Sequence, residues 1–167
     1  MFASGDGIFA QLPFIRFLTD RSKLADIKTR RIKLVWQTDE YHDRLRQWMQ
    51  SIMDDEDVEF DLLDISIHVS QNAVQISGEA GPAGPVTKVK RMGQRLKVIH
   101  DVPDVESYIQ LEMKEPRRQV AVSVSGHRRL REEVRLQVFR TRRLNVRLFE
   151  SDFQPVTAYR DRGGTAA

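Results

Sequence analysis

The sequence predicts an α/β fold: a parallel β-sheet with helices on both faces and an incomplete first strand. Three observations carry this expectation. Apolar β-rich runs, such as Ile32-Lys33-Leu34-Val35-Trp36, Ile65-Ser66-Ile67-His68-Val69 and Val120-Ala121-Val122-Ser123-Val124, alternate with stretches whose apolar residues recur at helical spacing. Strands alternating with helices are joined by right-handed crossovers, which make the sheet parallel and cover both its faces. The chain also opens with Gly5-Asp6-Gly7 directly before a helical stripe, which leaves only Met1 to Ala3 for the strand in front.

The elements follow in order. Glycines let a turn adopt positive φ and let the backbone approach a ligand closely. Beyond Gly7, the residues Ile8, Leu12 and Ile15 give a helix from Ile8 to Asp20 one apolar face. A basic hinge, Lys28-Thr29-Arg30-Arg31, leads into the strand Ile32 to Trp36. Glu40 to Met53 reads as a helix with Tyr41, Leu45, Trp48, Met49 and Ile52 on one stripe. Val58 to Val69 is a second β-rich run. Residues 71–94 carry Gly78, Gly81, Pro82, Gly84 and Pro85 without periodicity and read as a loop insertion. Leu96 to Ile99 is a short strand, and Pro103 takes an early position in a helix with Val105, Tyr108 and Ile109 on its inner side. After Val120 to Val124, Ser125-Gly126 makes a second small-residue turn. His127 to Thr141 is helical with Leu130, Val134 and Val138 inward, and Val146 to Phe153 reads as a last strand. One domain is expected over residues 1–155, followed by a disordered tail over 156–167.

Bulk composition narrows the function. The 167 residues suffice for one domain with a real core. A hydrophobic content of 40% with 31% charged residues is that of a soluble globular chain. The net charge of +3 gives no strong cationic field, so no nucleic-acid partner is expected. Seven arginines at 128, 129, 131, 135, 140, 142 and 143 read as a solvated helix face, with a phosphate or partner patch as the alternative. The absence of cysteine excludes disulfides, thiolate metal sites and a cysteine nucleophile. His42, His68, His100 and His127 lack ligand spacing, so no metal site is expected. No apolar run is long enough for a membrane helix, and no signal peptide is read, so a cytoplasmic chain is expected.

Four segments line up in one order: Gly5-Asp6-Gly7-Ile8-Phe9-Ala10-Gln11-Leu12-Pro13, Arg30 to Gln37, Leu63 to Val69, and Val122-Ser123-Val124-Ser125-Gly126-His127 with Leu130-Arg131. Together they resemble the NAD(P)-binding lobe of the ferric reductase and NADPH oxidase family, its fungal ferric-reductase-like members above all, truncated at the N-terminus. The resemblance implies a Rossmann-like sheet holding NADPH or NADH as one module of an oxidoreductase. In such proteins hydride passes to FAD on a separate β-barrel, and electrons then cross haems in a membrane domain to iron or oxygen. This chain resembles only the coenzyme module. FAD would therefore come from a missing domain or a partner chain, a flavin and haem membrane reductase, at the cytoplasmic face of a membrane. The isolated chain is expected to bind coenzyme without turnover. The rival readings are a degenerate, non-catalytic lobe acting as an interaction module and an unrelated α/β ligand-binding domain.

The resemblance also assigns residues. Gly5 and Gly7, with Asp6 and Ile8, match the pyrophosphate turn, although Asp6 equally fits an Asx turn or helix N-cap. Gly7→Val is accordingly expected to abolish coenzyme binding and leave much of the fold. Pro13 matches a proline that shapes the nicotinamide side. A mid-helix proline costs about 3 kcal/mol, so it is expected in the first turn or at a kink. Trp36 and Gln37 end the strand where relatives recognise the adenosine ribose. Many relatives carry an arginine just beyond, where Gln37-Thr38-Asp39-Glu40 stands here. Carboxylates would repel a 2′-phosphate and accept from a ribose 2′-OH, and Asp39 and Glu40 equally fit helix caps. Ser125-Gly126 falls where many relatives have Cys-Gly beside the nicotinamide, and Ser125 lacks a base to make it a nucleophile. Phe153 resembles the terminal aromatic that shields the flavin, and equally fits core packing.

Overall fold

The computed structural model describes residues 1–24, 26–39, 47–49, 51, 62–69, 89–91, 95–114, 119–141 and 145–151. The strands are β1 (Phe2–Ser4), β2 (Ile32–Thr38), β3 (Leu63–Val69), β4 (Val89–Arg91), β5 (Leu96–Ile99), β6 (Val120–Ser125) and β7 (Val146–Ser151). The helices are α1 (Ile8–Lys23), α2 (Val105–Glu112) and α3 (Arg128–Thr141), with one 3-10 turn over Gly5–Gly7. The strands form one sheet in the order β4-β5-β3-β2-β1-β6-β7. Six of them are parallel, and β4 pairs antiparallel with β5 at the edge.

Short as it is, β1 sits in the middle of the sheet. Its register pairs Phe2 with Val35 and Val124, and Ala3 with Trp36 and Ser125. Successive strand residues point to opposite faces, so these pairs divide the core in two. On one face Ala3, Leu34, Trp36, Ile65 and Ile67 pack against Ile8 and Ile15 of α1 and against Met49. On the other, Phe2, Val35, Val122 and Val124 pack against Val105 and Ile109 of α2 and Leu130 and Val134 of α3. Each such side chain contributes about 1.5–3 kcal/mol when fully buried. The continuous apolar runs of β2, β3 and β6 follow from this burial on both faces.

The differences from the expected elements have local causes. Pro103 precedes α2 instead of lying in it, because Asp104 is the cap: its carboxylate accepts from the Ser107 amide at 3.1 Å. Pro13 lies well inside α1, beyond its first turn, and the helix continues to Lys23. The proline removes the donor for the Phe9 carbonyl. Phe9 and Pro13 are both exposed, so that carbonyl lies on the water-facing side. The strand β4 falls within the stretch read as a loop, since three residues are too few to show a period. Leu63 starts β3 where the β-rich run was placed from Val58, and 58–61 lie outside the described residues. Most of the helix expected over Glu40 to Met53 also lies outside them, although 47–49 and 51 are helical. Phe153, Glu40, His42 and the tail 156–167 lie outside them as well.

Candidate functional site

The chain builds outward from β1 through β2 and β3 to β5, then returns to place β6 on the other side of β1. In open α/β sheets, ligands bind beyond the carboxyl ends of the strands where the order reverses. Here that point lies between the end of β1, at Ser4-Gly5, and the end of β6, at Ser125-Gly126. The two turns singled out in the sequence are thus brought side by side from opposite ends of the chain.

The turns are locked together through backbone. Gly5 has φ of +51°, which favours glycine, and its carbonyl accepts the Trp36 indole N–H at 3.0 Å. Gly7 has an ordinary helical φ of −56°. It is needed for closeness instead: a Cβ there would lie 2.7 Å from Gly126 Cα and N and Ser125 C. Gly126, with φ of +120°, has no room for a Cβ against Ser4. Ser4 Oγ accepts the His127 backbone N–H at 2.7 Å, which ties β1 to the second turn. The expectation that Gly7→Val would spare the fold is corrected on this geometry, since the valine would collide with backbone on β6.

A buried polar chain reinforces the contact. The Gln11 amide, fully buried, donates to Ser125 Oγ at 2.7 Å and accepts from Ser123 Oγ at 2.8 Å. Ser125 Oγ in turn donates to the Gly7 carbonyl at 2.7 Å. With 0% exposure and both hydroxyl roles engaged, Ser125 acts here as a clamp between α1 and β6. Gln11, Ser123 and Ser4 were not singled out from the sequence. The signal was there: polar residues at positions where the period demands apolar ones, Gln11 between Ile8 and Ile15 and Ser123 beside Val122 and Val124.

The amino end of α1 fits an anionic ligand. The 3-10 turn Gly5–Gly7 runs straight into α1, with the Ile8 N–H bonding back to the Gly5 carbonyl, and the Ser4 side chain does not cap it, so the N–H groups at the start of that turn keep the anion-binding character of a helix start. A ligand lying against Gly5 would meet no Cβ. The family model for the ferric reductase NAD binding domain matches residues 1–139. The chain belongs to that family. Its nicotinamide coenzyme and oxidoreductase class follow from the membership. No curated protein matches the chain closely enough to add to this.

The remaining candidates of this ferric reductase NAD-binding domain are distributed as follows. Asp6 is exposed and makes no cap, and Ile8 is core. Trp36 is buried beneath the first turn, while Gln37 is half-buried on the opposite sheet face, in register with Ser4 and His68. Thr38 is buried and Asp39 exposed at the end of β2. His68 Nδ1 lies 3.1 Å from the Asp101 carbonyl and Nε2 lies 3.0 Å from the Tyr108 hydroxyl. A carbonyl only accepts, so Nδ1 carries the proton and Nε2 accepts from Tyr108. Burial pushes the His68 pKa below 6.5, against the pull of Asp101. A groove of about 310 Å³ between α2 and α3, lined by Ile109, Met113, Gln137 and Arg140 among others, lies toward the carboxyl ends of those helices, at the opposite edge of the sheet. Among the described residues no helix is long and apolar enough to cross a membrane.

Proposed function

We propose that the chain holds NADH or NADPH across the carboxyl edge of its sheet, with the diphosphate against the Gly5-Asp6-Gly7 turn. The adenosine would lie toward Gln37 and the nicotinamide toward the Gly126 side, with Pro13 and Ser125 shaping the pocket from behind. The observation carrying this reading is the placement of an uncapped helix start and a positive-φ glycine at the point where the strand order reverses, in a chain of this family. When bound, the coenzyme supplies hydride. The acceptor would be a flavin on another lobe or chain, as in the resemblance drawn from the sequence. The role of this chain's own residues is to orient the coenzyme: Trp36 fixes the Gly5 carbonyl, and the Gln11–Ser125 clamp fixes α1 against β6.

Calorimetric titration with NADH tests binding, and ferric-chelate reduction tests the division of labour. Binding without reduction, and reduction only when a flavoprotein is added, is the expected result. Robust reduction by the chain alone would overturn the requirement for a separate flavin carrier. An absence of any dinucleotide binding would favour a non-catalytic interaction module.

A further inference from the structure

The groups around Gly5 divide sharply into committed and uncommitted. The Trp36 N–H is taken by the Gly5 carbonyl, and Ser125 Oγ by Gly7 and Gln11. Ser4 is buried under the His127 amide. Asp6 is exposed but carries the wrong charge for a phosphate. His127 differs from all of these. Its backbone is anchored, yet its ring is exposed and makes no hydrogen bond or ion pair among the described residues. Ring atoms Cε1 and Nε2 both lie 3.6 Å from the point a Cβ on Gly5 would occupy, and among the described residues they are the only atoms within 4 Å of it beyond Gly5 and its two chain neighbours. The missing Cβ thus lets the imidazole edge stand beside the Gly5 backbone, with a methyl-sized space between them.

We propose that His127 is a coenzyme-contacting residue, its imidazole donating to the diphosphate of a nicotinamide dinucleotide lying against Gly5. The proposal rests on the coenzyme reading above and adds a ligand from β6 to a turn supplied by β1. A neutral imidazole offers one N–H donor and a protonated one offers two, so either form can serve a phosphate oxygen. A bond from His127 would also fix the dinucleotide at the switch point, between its two halves, where small displacements move the nicotinamide most.

The test is calorimetric titration of the full chain with NADH and with ADP-ribose, in the parent, His127→Ala and His127→Gln, with thermal unfolding on the same samples. His127→Ala should weaken both ligands about tenfold, the scale of one hydrogen bond to a charged group. The thermal midpoint should not move, because the ring is exposed, and the glutamine donor should restore most of the affinity. Unchanged affinity in His127→Ala overturns the proposal and leaves the coenzyme reading standing. A loss that glutamine does not restore and that comes with a lowered midpoint also overturns it, as damage to the turn. A parent that binds neither ligand overturns the coenzyme reading and this proposal with it.

Discussion

Ser125 and His68 are buried polar residues whose partners define what each can do. Removing the Ser125 hydroxyl would leave one side-chain N–H of Gln11 buried without its partner, while the Gly7 carbonyl, as the N-cap of α1, keeps its helical bond. Such an unsatisfied group costs about 1–3 kcal/mol, so Ser125→Ala should lower stability by about 2 kcal/mol in urea unfolding. Ser125→Cys should cost less, since a thiol keeps a weak donor in nearly the same volume. At His68 the prediction concerns pH. The folded protein holds this imidazole neutral, with its pKa below the ordinary 6.5. The unfolded chain therefore binds the proton first as pH falls, and His68's contribution to stability is full above pH 6.5. It is lost as pH drops from there toward the folded value. The buried Met1 amino group, pushed down from 8.0 to about 5 by burial, titrates across the same range, so the comparison carries the test: below about pH 6.5 the urea midpoint of the parent should fall more steeply than that of His68→Gln. Gly5 and Gly126 were legible as turns because glycine beside small residues has few other readings. Gln11 was not, because its partners lie 112 and 114 residues away and only the fold brings them near.

At the scale of elements, the Gly turn and its helix behave as one unit docked on β6. The two glycines of the turn then separate by function. Gly7→Val forces a side chain into the Gly126 backbone at 2.7 Å, and neither element can yield cheaply. Overpacking of this kind costs about 1–3 kcal/mol or more, so this variant should be visibly destabilised, with coenzyme binding lost through the fold. Gly5→Ala meets only the His127 ring at 3.6 Å. Its penalty is the left-handed backbone alone, about 1–2 kcal/mol, so it should fold while losing affinity for NADH. Chemical denaturation and titration on both variants check the contrast. The central strands β2, β3 and β6 were legible as short apolar runs, and α1, α2 and α3 from the helical spacing of their apolar residues. The strand β4 was not, since its place depends on antiparallel pairing with β5 across a sheet edge. Pro13 was misplaced for a related reason: its penalty is mild where the freed carbonyl faces water.

For the whole molecule, the parallel sheet sorts charge between its two edges. Arg30 and Arg31 precede β2 and so sit at the amino edge. Arg31 and Lys33 lie 3.7–3.8 Å from Asp64 and Glu112 there. The seven residues of β2 span about 20 Å to the carboxyl edge, at about 3.3 Å per residue. The hinge arginines therefore cannot reach a coenzyme bound beyond Gln37. At the carboxyl edge itself, α3 brings Arg128 and Arg129 beside the Gly126 turn, on the far side of β1 from β2. Arg128 is also paired with Glu132 at 2.6 Å. On the proposed binding mode, the adenosine end is left, among the described residues, with Gln37 and the exposed carboxylate of Asp39, which would favour a free ribose hydroxyl over a 2′-phosphate. NADH and NADPH should accordingly bind with affinities within about tenfold of each other in parallel titrations, about 1.4 kcal/mol at most. Asp39→Arg should then shift the balance toward NADPH, because it replaces a repelling charge with a bidentate phosphate donor. A parent preference for NADPH of a hundredfold, about 2.7 kcal/mol, would overturn this reading of the β2 end and place a phosphate-binding cation outside the described residues.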